Sequence, residues 1–434
     1  MVHTIEPANI QAILATQFQD FELGELRRRQ TMRLLGNGIF TADGKAWSWA
    51  RALMRPQFAR VQVEDMGVLE PHVQALFDAI PEDDGELIEL SELLYRLTLD
   101  TATEFLFGES INSQRTAMGE DGTKILSLGE KNSTFSPADD NKGKKQMGFS
   151  EAFNGALESI QYRMRLGPLV WFVPPIIYQK QCNVVHTFTD EYVNLAYHRL
   201  NNKESTGRFV LGDALAAEIQ DPIELRTQLL NILLAGRDTT ASLLTFTFLL
   251  LARHTRVWNR LRLEIIAKFG TSTEDITFTR LKNLRYLQWV LNEALRLYPS
   301  VPVNFRMAVR DTTLPVGGGP DGKSPFPVME GQIIIYSVYA LHRREEFWGK
   351  DALEFRPERW EGRKTGWEYL PFNGGPRICL GQQYALGEAS YVVTRLLQRF
   401  ERVECLPNEK IEKVMNVTLY APKGARLKFF KAAN

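Results

Sequence analysis

The sequence predicts a single, mainly α-helical domain with a small β region. Apolar residues recur at three- and four-residue spacing through Gln11–Phe18, Val68–Ile80, Ile88–Phe107 and Phe188–Leu200, the signature of helices with one buried face. From Val301 onward the pattern changes to short β-prone runs such as Ile333–Tyr336, interrupted by Gly317-Gly318-Gly319-Pro320. No internal repeat and no Pro/Ser-rich linker divides the chain, so residues 1–434 read as one domain. With 52 Lys+Arg against 52 Asp+Glu and 44% hydrophobic residues, the chain is neither a disordered tail, nor a collagen, nor a strongly basic nucleic-acid binder. It is long enough to bury an extensive core.

Taken in order, the start Met1-Val2-His3-Thr4-Ile5-Glu6-Pro7 lacks the basic-then-apolar pattern of a signal peptide. The polar segment Asn112–Lys145, rich in Gly, Ser, Asp and Lys, reads as a surface excursion. The stretch Gly167–Tyr178 is Pro-broken and aromatic, which suits shallow membrane contact or, equally, a loop packed on the core. Asp221-Pro222-Ile223-Glu224 combines an N-cap acid, Pro at the first position and an acid at the third, so a helix starts there and runs to about His254, roughly 33 residues or about 50 Å. Its apolar span Thr239–Ala252 is shorter than the ~20 residues a bilayer requires and reads as a buried core helix. At the end, Val417–Tyr420 and Arg426–Phe430 flank Pro422-Lys423-Gly424 as a hairpin would.

Three cysteines, Cys182, Cys379 and Cys405, cannot form a disulfide framework, and no CxxC or CxxCH occurs. The six histidines form no short-spaced ligand cluster for zinc or non-haem iron. Cys379 alone has a distinctive setting, in Phe372-Asn373-Gly374-Gly375-Pro376-Arg377-Ile378-Cys379-Leu380-Gly381, just before a helical pattern through Ala385, Ala389, Val392, Leu396 and Phe400. A thiol at a helix N-terminus meets free N–H groups and the positive dipole end, which favour a thiolate. Gly375 and Gly381 allow close backbone approach to a flat ligand, and Arg377 adds a cation. A cysteine between glycines is, by itself, more often a packed turn residue than a ligand. Cys182 and Cys405 read as ordinary packed or surface residues.

The long helix is interrupted by Ala235-Gly236-Arg237-Asp238-Thr239-Thr240, a polar patch that a purely structural core helix would avoid. Gly236 leaves room for a small molecule, the Thr239 hydroxyl can bond the carbonyl one turn back and loosen the helix, and Asp238 can relay protons. A helix bend with a solvated ion pair is the bland alternative. Glu293 and Arg296 stand at i and i+3, Trp47 and Arg51 at i and i+4 where indole and guanidinium can converge on one anion, and Phe355–Trp360 precedes the cysteine loop. Each pair alone would be an ordinary surface feature.

Together these strings resemble the cytochrome P450 family. The cysteine loop matches Phe-x-x-Gly-x-Arg-x-Cys-x-Gly throughout, and Ala-Gly-x-Asp-Thr-Thr, Glu-x-x-Arg, Pro-Glu-Arg and Trp-x-x-x-Arg are also present. Leu35–Gly44, Arg55–Arg60, Gly317–Gly322 and Pro371–Gln383 look like the fungal alkane- and fatty-acid-hydroxylating branch. The resemblance implies the P450 fold, haem b with Cys379 as axial thiolate, and Trp47, Arg51, Gly236, Phe372, Gly375, Arg377 and Gly381 around the cofactor, with Arg306 a weaker propionate partner. It also implies proton delivery to dioxygen by Asp238 and Thr239, a packing or helix-hydrogen-bonding role for Thr240, and a structural triad of Glu293, Arg296 and Arg359. Apolar pocket walls are expected at Ile39, Phe40, Ile232, Leu233, Ala235, Val301, Val303, Phe305 and Leu419.

The implied activity is hydroxylation of an apolar small molecule, an alkane or fatty acid, by a monooxygenase. Oxidation of a polyketide or terpenoid intermediate and an inactive haem-binding remnant are the alternatives. Electrons would come from an NADPH-dependent reductase, since no Gly-rich dinucleotide fingerprint is present. Family members usually begin with a membrane anchor, a first helix and two strands, and this chain is expected to start after them. The expected location is the cytoplasmic side of the endoplasmic reticulum if an anchor exists or peripheral contact suffices, and the cytoplasm otherwise.

Overall fold

The computed structural model describes residues 1–58, 65–118, 147–172 and 174–432. Its strands and principal helices are β1 (Val2–Thr4), β2 (Phe21–Glu22), α1 (Glu25–Leu35), α2 (Gly44–Met54), α3 (Glu70–Asp78), β3 (Leu87–Glu89), α4 (Leu90–Phe107), α5 (Phe149–Leu166), α6 (Ile176–Asn202), α7 (Pro222–Leu251), α8 (Thr255–Phe269) and α9 (Arg285–Leu297). They continue with β4 (Val303–Ala308), β5 (Thr312–Gly318), β6 (Ser324–Val328), β7 (Ile333–Ser337), α10 (Gln382–Arg399), β8 (Phe400–Cys405), β9 (Val414–Met415), β10 (Leu419–Tyr420) and β11 (Arg426–Lys431). One sheet has the order β1-β7-β4-β2, with β1 parallel to β7 (Val2 opposite Ile334) and the other pairs antiparallel. A second has the order β3-β11-β8.

Helix α7 organises the interior. The Asp221 carboxylate accepts the Ile223 N–H at 2.9 Å and Pro222 occupies the first helical position, so the start is well capped. Its N-terminal half packs with α4, α5 and α6 in one hydrophobic cluster, and its C-terminal half joins α8, α9 and α10 in another. The Thr239–Ala252 span lies inside the protein, and among the described residues no helix is long and apolar enough to cross a membrane.

Several elements differ from the sequence expectations. Val417–Tyr420 and Arg426–Phe430 do not form a hairpin with each other. Tyr420 pairs with Val414, while β11 is central between β3 and β8, where Leu427 and Phe429 reach the core. Leu419 is instead held against α7: its N–H donates to the Ser300 carbonyl at 2.8 Å, and its own carbonyl accepts from the Ser242 hydroxyl at 2.6 Å. The Gln11–Phe18 periodicity ends in a π-helical turn, Ala12–Thr16. Ile88 and Glu89 belong to β3, because the Glu89 carboxylate caps the next helix by accepting the Ser91 and Glu92 N–H groups. Of the polar segment Asn112–Lys145, residues 119–145 lie outside the described residues, and Ser113–Met118 is a helix with Ser113 and Gln114 buried. The Asp100 carboxylate accounts for that docking by accepting both of their backbone N–H groups.

Glu293, Arg296 and Arg359 meet in the interior. Arg296 Nε and Nη2 donate to the two Glu293 oxygens, each at 2.8 Å, and Arg359 Nε donates at 2.7 Å. Trp360 Nε1 and the Arg356 N–H donate to the same carboxylate, both at 3.0 Å. Arg296 also reaches the carbonyls of His342, Ala352 and Glu354. Glu293 and Arg296 are 0% exposed, so the cluster is viable only because every charge is paired and every donor used. It ties α9 to the 342–360 segment that leads into the cysteine loop. Glu293→Ala leaves the buried Arg296 guanidinium without a carboxylate and Arg359 with Asp351 alone, and is expected to cost about 3–5 kcal/mol, seen as a lowered denaturation midpoint. A midpoint within experimental scatter of the wild type contradicts the assignment.

Candidate active site

The cysteine loop is shaped by its own backbone. The Cys379 N–H donates to the Phe372 carbonyl and the Ile378 N–H to the Gly375 carbonyl, both at 3.0 Å. Arg51 Nη1 holds the Ile378 carbonyl at 3.0 Å from α2. Gly375 has φ +67°, and a Cβ there would stand 1.8 Å from the Leu14 carbonyl oxygen. This glycine therefore permits close approach to the N-terminal segment and is not in the lining of the main cavity. Gly381 is in that lining, as are Phe372, Arg377 and Cys379. Cys379 stands three residues before α10, whose N-cap is Gly381. The Cys379 side chain is exposed between two pockets; desolvation by the surrounding protein raises its thiol, while the Gly381 N–H and the Arg51 charge pull it down in the direction the sequence suggests.

Helix α7 contributes Ile232, Ala235, Gly236, Thr239, Thr240 and Leu243 to the same cavity. The Thr239 hydroxyl donates to the Ala235 carbonyl at 2.7 Å, one turn back, and its carbonyl accepts from the Ser300 hydroxyl at 2.9 Å. The helix nonetheless continues through the motif without interruption. Gly236 keeps the wall thin: the nearest atom to a Cβ placed there is Ala102 Cβ at 3.8 Å. Asp238 is not part of the lining. Its carboxyl is 3.3 Å from Arg237 Nη1, and burial raises its pKa against that charge. Arg237 in turn donates to Asn154 at 2.6 Å and lies against the rings of Tyr95 and Phe153.

Cations define one side of the cavity. Arg27, Arg51, Arg306 and Arg377 all line it, together with Trp47. The Arg377 guanidinium sits 4.3 Å from the Trp47 ring centroid and donates to Asp43 at 2.6 Å and to the Ala42 carbonyl at 3.1 Å. Asp43 also accepts the Leu23 and Gly24 N–H groups, which fixes β2 to the start of α2. Arg27 and Arg306 share the Asn304 side-chain oxygen, at 2.6 and 3.3 Å. Burial and the adjacent Arg306 press Arg27 down to about 9, and burial brings Arg377 to about 10, so both remain charged at neutral pH. Four guanidiniums with one direct carboxylate partner among the described residues, Asp43 on Arg377, are the setting for bound anionic groups.

Of the expected apolar walls, Ile39, Phe40, Ile232, Ala235 and Val301 line the cavity. Val303 and Phe305 do not: side chains alternate along β4, so Asn304 and Arg306 face the cavity while their neighbours face away. Leu419 and Leu233 are packed fully into the two cores. Sequence reasoning missed Arg27, which stands in a run of three arginines that reads as a solvated face. Ala102, Phe105 and Leu106 of α4 and Tyr384 of α10 were also unforeseen, because lining residues on an apolar helix face carry no mark that separates them from core. Among the described residues no group of His, Cys, Asp and Glu could hold a metal ion unaided. Cys182 is buried and pushed up to about 11 by that burial, as for a packed thiol.

The donor set therefore fits a flat, metal-centred, dianionic cofactor: one soft sulfur ligand, apolar walls and guanidiniums for two carboxylates. Comparison with known proteins agrees. The family model described as Cytochrome P450 matches residues 1–429. The chain is 50% identical over 413 residues to Cytochrome P450 52A13 of Debaryomyces hansenii, covering 93% of this chain and 76% of that protein. It is 47% identical over 425 residues to Cytochrome P450 monooxygenase g430 of Fusarium sp, covering 94% and 72%. Cytochrome P450 52A3-A of Candida maltosa is 47% identical over 432 residues, covering 96% and 79%. In fold, the crystal structure of the cytochrome P450DA heme domain superposes with a TM-score of 0.76 at 22% identity, covering 99% of this chain and 86% of that one.

The chain belongs to the cytochrome P450 family. It is accordingly a monooxygenase whose cofactor is haem and which uses dioxygen and electrons from a reductase. Gly375→Ala is expected to destabilise the cysteine loop by about 1–3 kcal/mol through the Leu14 clash and the strained φ, read as a lower thermal midpoint. Gly381→Ala, whose added Cβ meets only Phe58 at 3.8 Å, is expected to spare the apoprotein midpoint. Equal midpoints for the two variants would refute this account of the loop.

Proposed function

We propose that this chain hydroxylates an aliphatic, lipid-like substrate, an alkane or fatty acid, with haem b held through Cys379. The observation that carries the proposal is that Cys379, Thr239 and four guanidiniums line one cavity whose remaining walls are mostly apolar, with Thr240, Ser300, Asn304 and Asn373 as polar exceptions. In this reading Trp47, Arg51 and Arg377 hold the two haem carboxylates, joined by Arg27 and Arg306, while Phe372, Gly236 and Gly381 shape the faces beside the ring. When bound, haem b supplies activation of dioxygen and insertion of one oxygen atom into a carbon–hydrogen bond.

The chain's own residues bring the other requirements. Ile39, Phe40, Ile232 and Val301 exclude water and accept a hydrocarbon chain without demanding a hydrogen-bond partner. The Thr239 hydroxyl orients protons at the cavity wall, and Asp238 supplies them from behind it. For Asp238 this requires its side chain to turn away from Arg237, while burial raises its pKa above the ordinary carboxylate value against the Arg237 charge.

The electron donor in this proposal is an NADPH-dependent reductase at the cytoplasmic face of the endoplasmic reticulum. Peripheral membrane contact is supported by a patch around the start of α6, where Leu169, Phe172, Ile176 and Ile177 are 58–67% exposed. Turning Phe172 and Ile177 to Ser is expected to lower partition onto phospholipid vesicles about tenfold or more. Undiminished binding in a co-sedimentation assay would remove this patch as the contact.

Cys379→Ser is expected to abolish the thiolate-type spectrum of the reduced carbon monoxide complex and hydroxylation of alkanes and fatty acids alike. Asp238→Asn and Thr239→Ala are expected to retain that spectrum but lower product formed per NADPH, with rate losses of about 10²–10⁴-fold where proton transfer limits turnover. An unaltered spectrum in the serine variant would refute the ligand assignment, and coupling unaffected in both of the other variants would refute the proton assignment.

A further inference from the structure

Two apolar walls of the main cavity, Ile39 and Phe40, come from the turn between α1 and α2, where residues 36–43 form neither helix nor strand. The far end of this turn is fixed by Arg377, which donates to the Ala42 carbonyl and the Asp43 carboxylate. Its middle is folded on itself. The Thr41 and Ala42 N–H groups donate to the Gly38 carbonyl at 3.0 and 2.8 Å, and the Thr41 hydroxyl donates to the Gly36 carbonyl at 2.6 Å. Those bonds shape the turn but do not set how far its apolar pair reaches into the cavity.

A side chain of α7 does so. Asn231 stands in Leu229-Leu230-Asn231-Ile232-Leu233 and is 0% exposed, a position where an amide is costly unless it is bonded. Its Nδ2 donates to the Leu35 and Thr227 carbonyls, both at 2.8 Å, and its Oδ1 accepts the Phe40 N–H at 3.1 Å. Only this orientation of the amide is satisfied, because the reverse sets its oxygen against two carbonyl oxygens and its NH2 against an N–H. One side chain therefore grips the turn twice, at the last residue of α1 and at Phe40 itself.

The glycine at 38 is the complement of that grip. A Cβ there would stand 2.3 Å from Asn231 Nδ2, and its three nearest neighbours are all atoms of Asn231. Gly38 is not among the glycines with positive φ, so it is the room for the amide, and not the backbone, that calls for glycine. Gly36 makes a similar approach to the preceding turn of α7, where a Cβ would stand 2.2 Å from Thr227 Oγ1. Thr227, Asn231, Ala235 and Thr239 follow at four-residue intervals and so lie along one stripe of the helix. The first two hold the turn and the last two line the cavity. The turn is thus referenced to the helix that carries Thr239, about 12 Å from Asn231 along the axis.

We propose that Asn231 is the positioning residue that determines which carbon of an aliphatic chain is hydroxylated. A hydrocarbon chain offers no polar handle, so the carbon presented beside Thr239 is chosen by where the walls stop the chain. Asn231 is not itself in the cavity lining; it acts through Ile39 and Phe40, by holding them at one station along α7. Without the amide, the turn keeps its internal bonds and its Arg377 anchor but loses its register against α7, and the chain then settles at several depths. The inference rests on the reading of an alkane or fatty-acid hydroxylase and deepens it by naming what sets its positional selectivity.

The test uses haem-loaded enzyme with its reductase, with dodecanoic acid and hexadecane as substrates, and compares wild type, Asn231→Ala, Gly38→Ala and the double variant. Product positions are read by gas chromatography with mass spectrometry, and protection of the turn by amide hydrogen exchange over residues 36–42. Asn231→Ala and Gly38→Ala are each expected to speed exchange in the turn while keeping haem content and the carbon monoxide spectrum. Each is expected to lower the ratio of the leading positional product to its neighbour about tenfold, the low end of what one misplaced methylene is worth. The double variant is expected to match Asn231→Ala, because the added Cβ then has no amide to meet and the two effects do not add.

Positional ratios in Asn231→Ala equal to those of the wild type overturn the proposal, even where exchange in the turn is faster, since the clamp is then structural alone. A double variant in which the two effects simply add also overturns it. If Asn231→Ala fails to take up haem, Gly38→Ala decides alone, and an unchanged ratio there overturns the proposal. Failure of the parent reading is separately visible, as a wild type that forms no hydroxylated product from either substrate.

Discussion

A carboxylate with no access to water, shared by two guanidiniums, is the interaction on which the rest of the structure depends. Glu293 is satisfied by Arg296, Arg359, Trp360 and the backbone of Arg356, and Arg296 extends the network to three carbonyls. Such a cluster adds little net stability over an apolar substitute, yet it penalises every arrangement that leaves one member unpaired. It therefore specifies the path of the 342–360 segment, and through it the position from which the cysteine loop departs.

From that anchor the cavity is assembled by elements distant in sequence, each secured by a few directional contacts. The loop is pinned by Arg51 on the Ile378 carbonyl and by Gly375 under Leu14. Helix α7 is pinned by Ser300 on the Thr239 carbonyl and by Ser242 on Leu419. Arg377 joins the loop to α2 and β2 through Asp43 and Trp47. Among the described residues the guanidiniums along the cavity outnumber their carboxylate partners, an electrostatic demand that anionic ligand groups would meet.

Much of this was legible in the sequence because chemistry-bearing residues must occur as particular types at particular spacings. The cysteine loop, the Gly236–Thr240 patch, Glu293 with Arg296, and the capped start at Asp221 are all of this kind. What could not be read depended on tertiary partners. The final strand belongs between β3 and β8, although local turn residues suggested a hairpin with Leu419. The strand phase that turns Asn304 and Arg306 inward, and Val303 and Phe305 outward, is invisible without knowing which face of β4 meets the cavity. Arg27 lacked any local mark, since its character comes from burial and from the neighbouring Arg306.

The account stands on sulfur coordination by Cys379. Iron K-edge X-ray absorption of the purified holoprotein addresses it without reference to turnover or substrate. The account predicts a sulfur scatterer in the first coordination shell beside the porphyrin nitrogens. A shell of nitrogen and oxygen alone would contradict it.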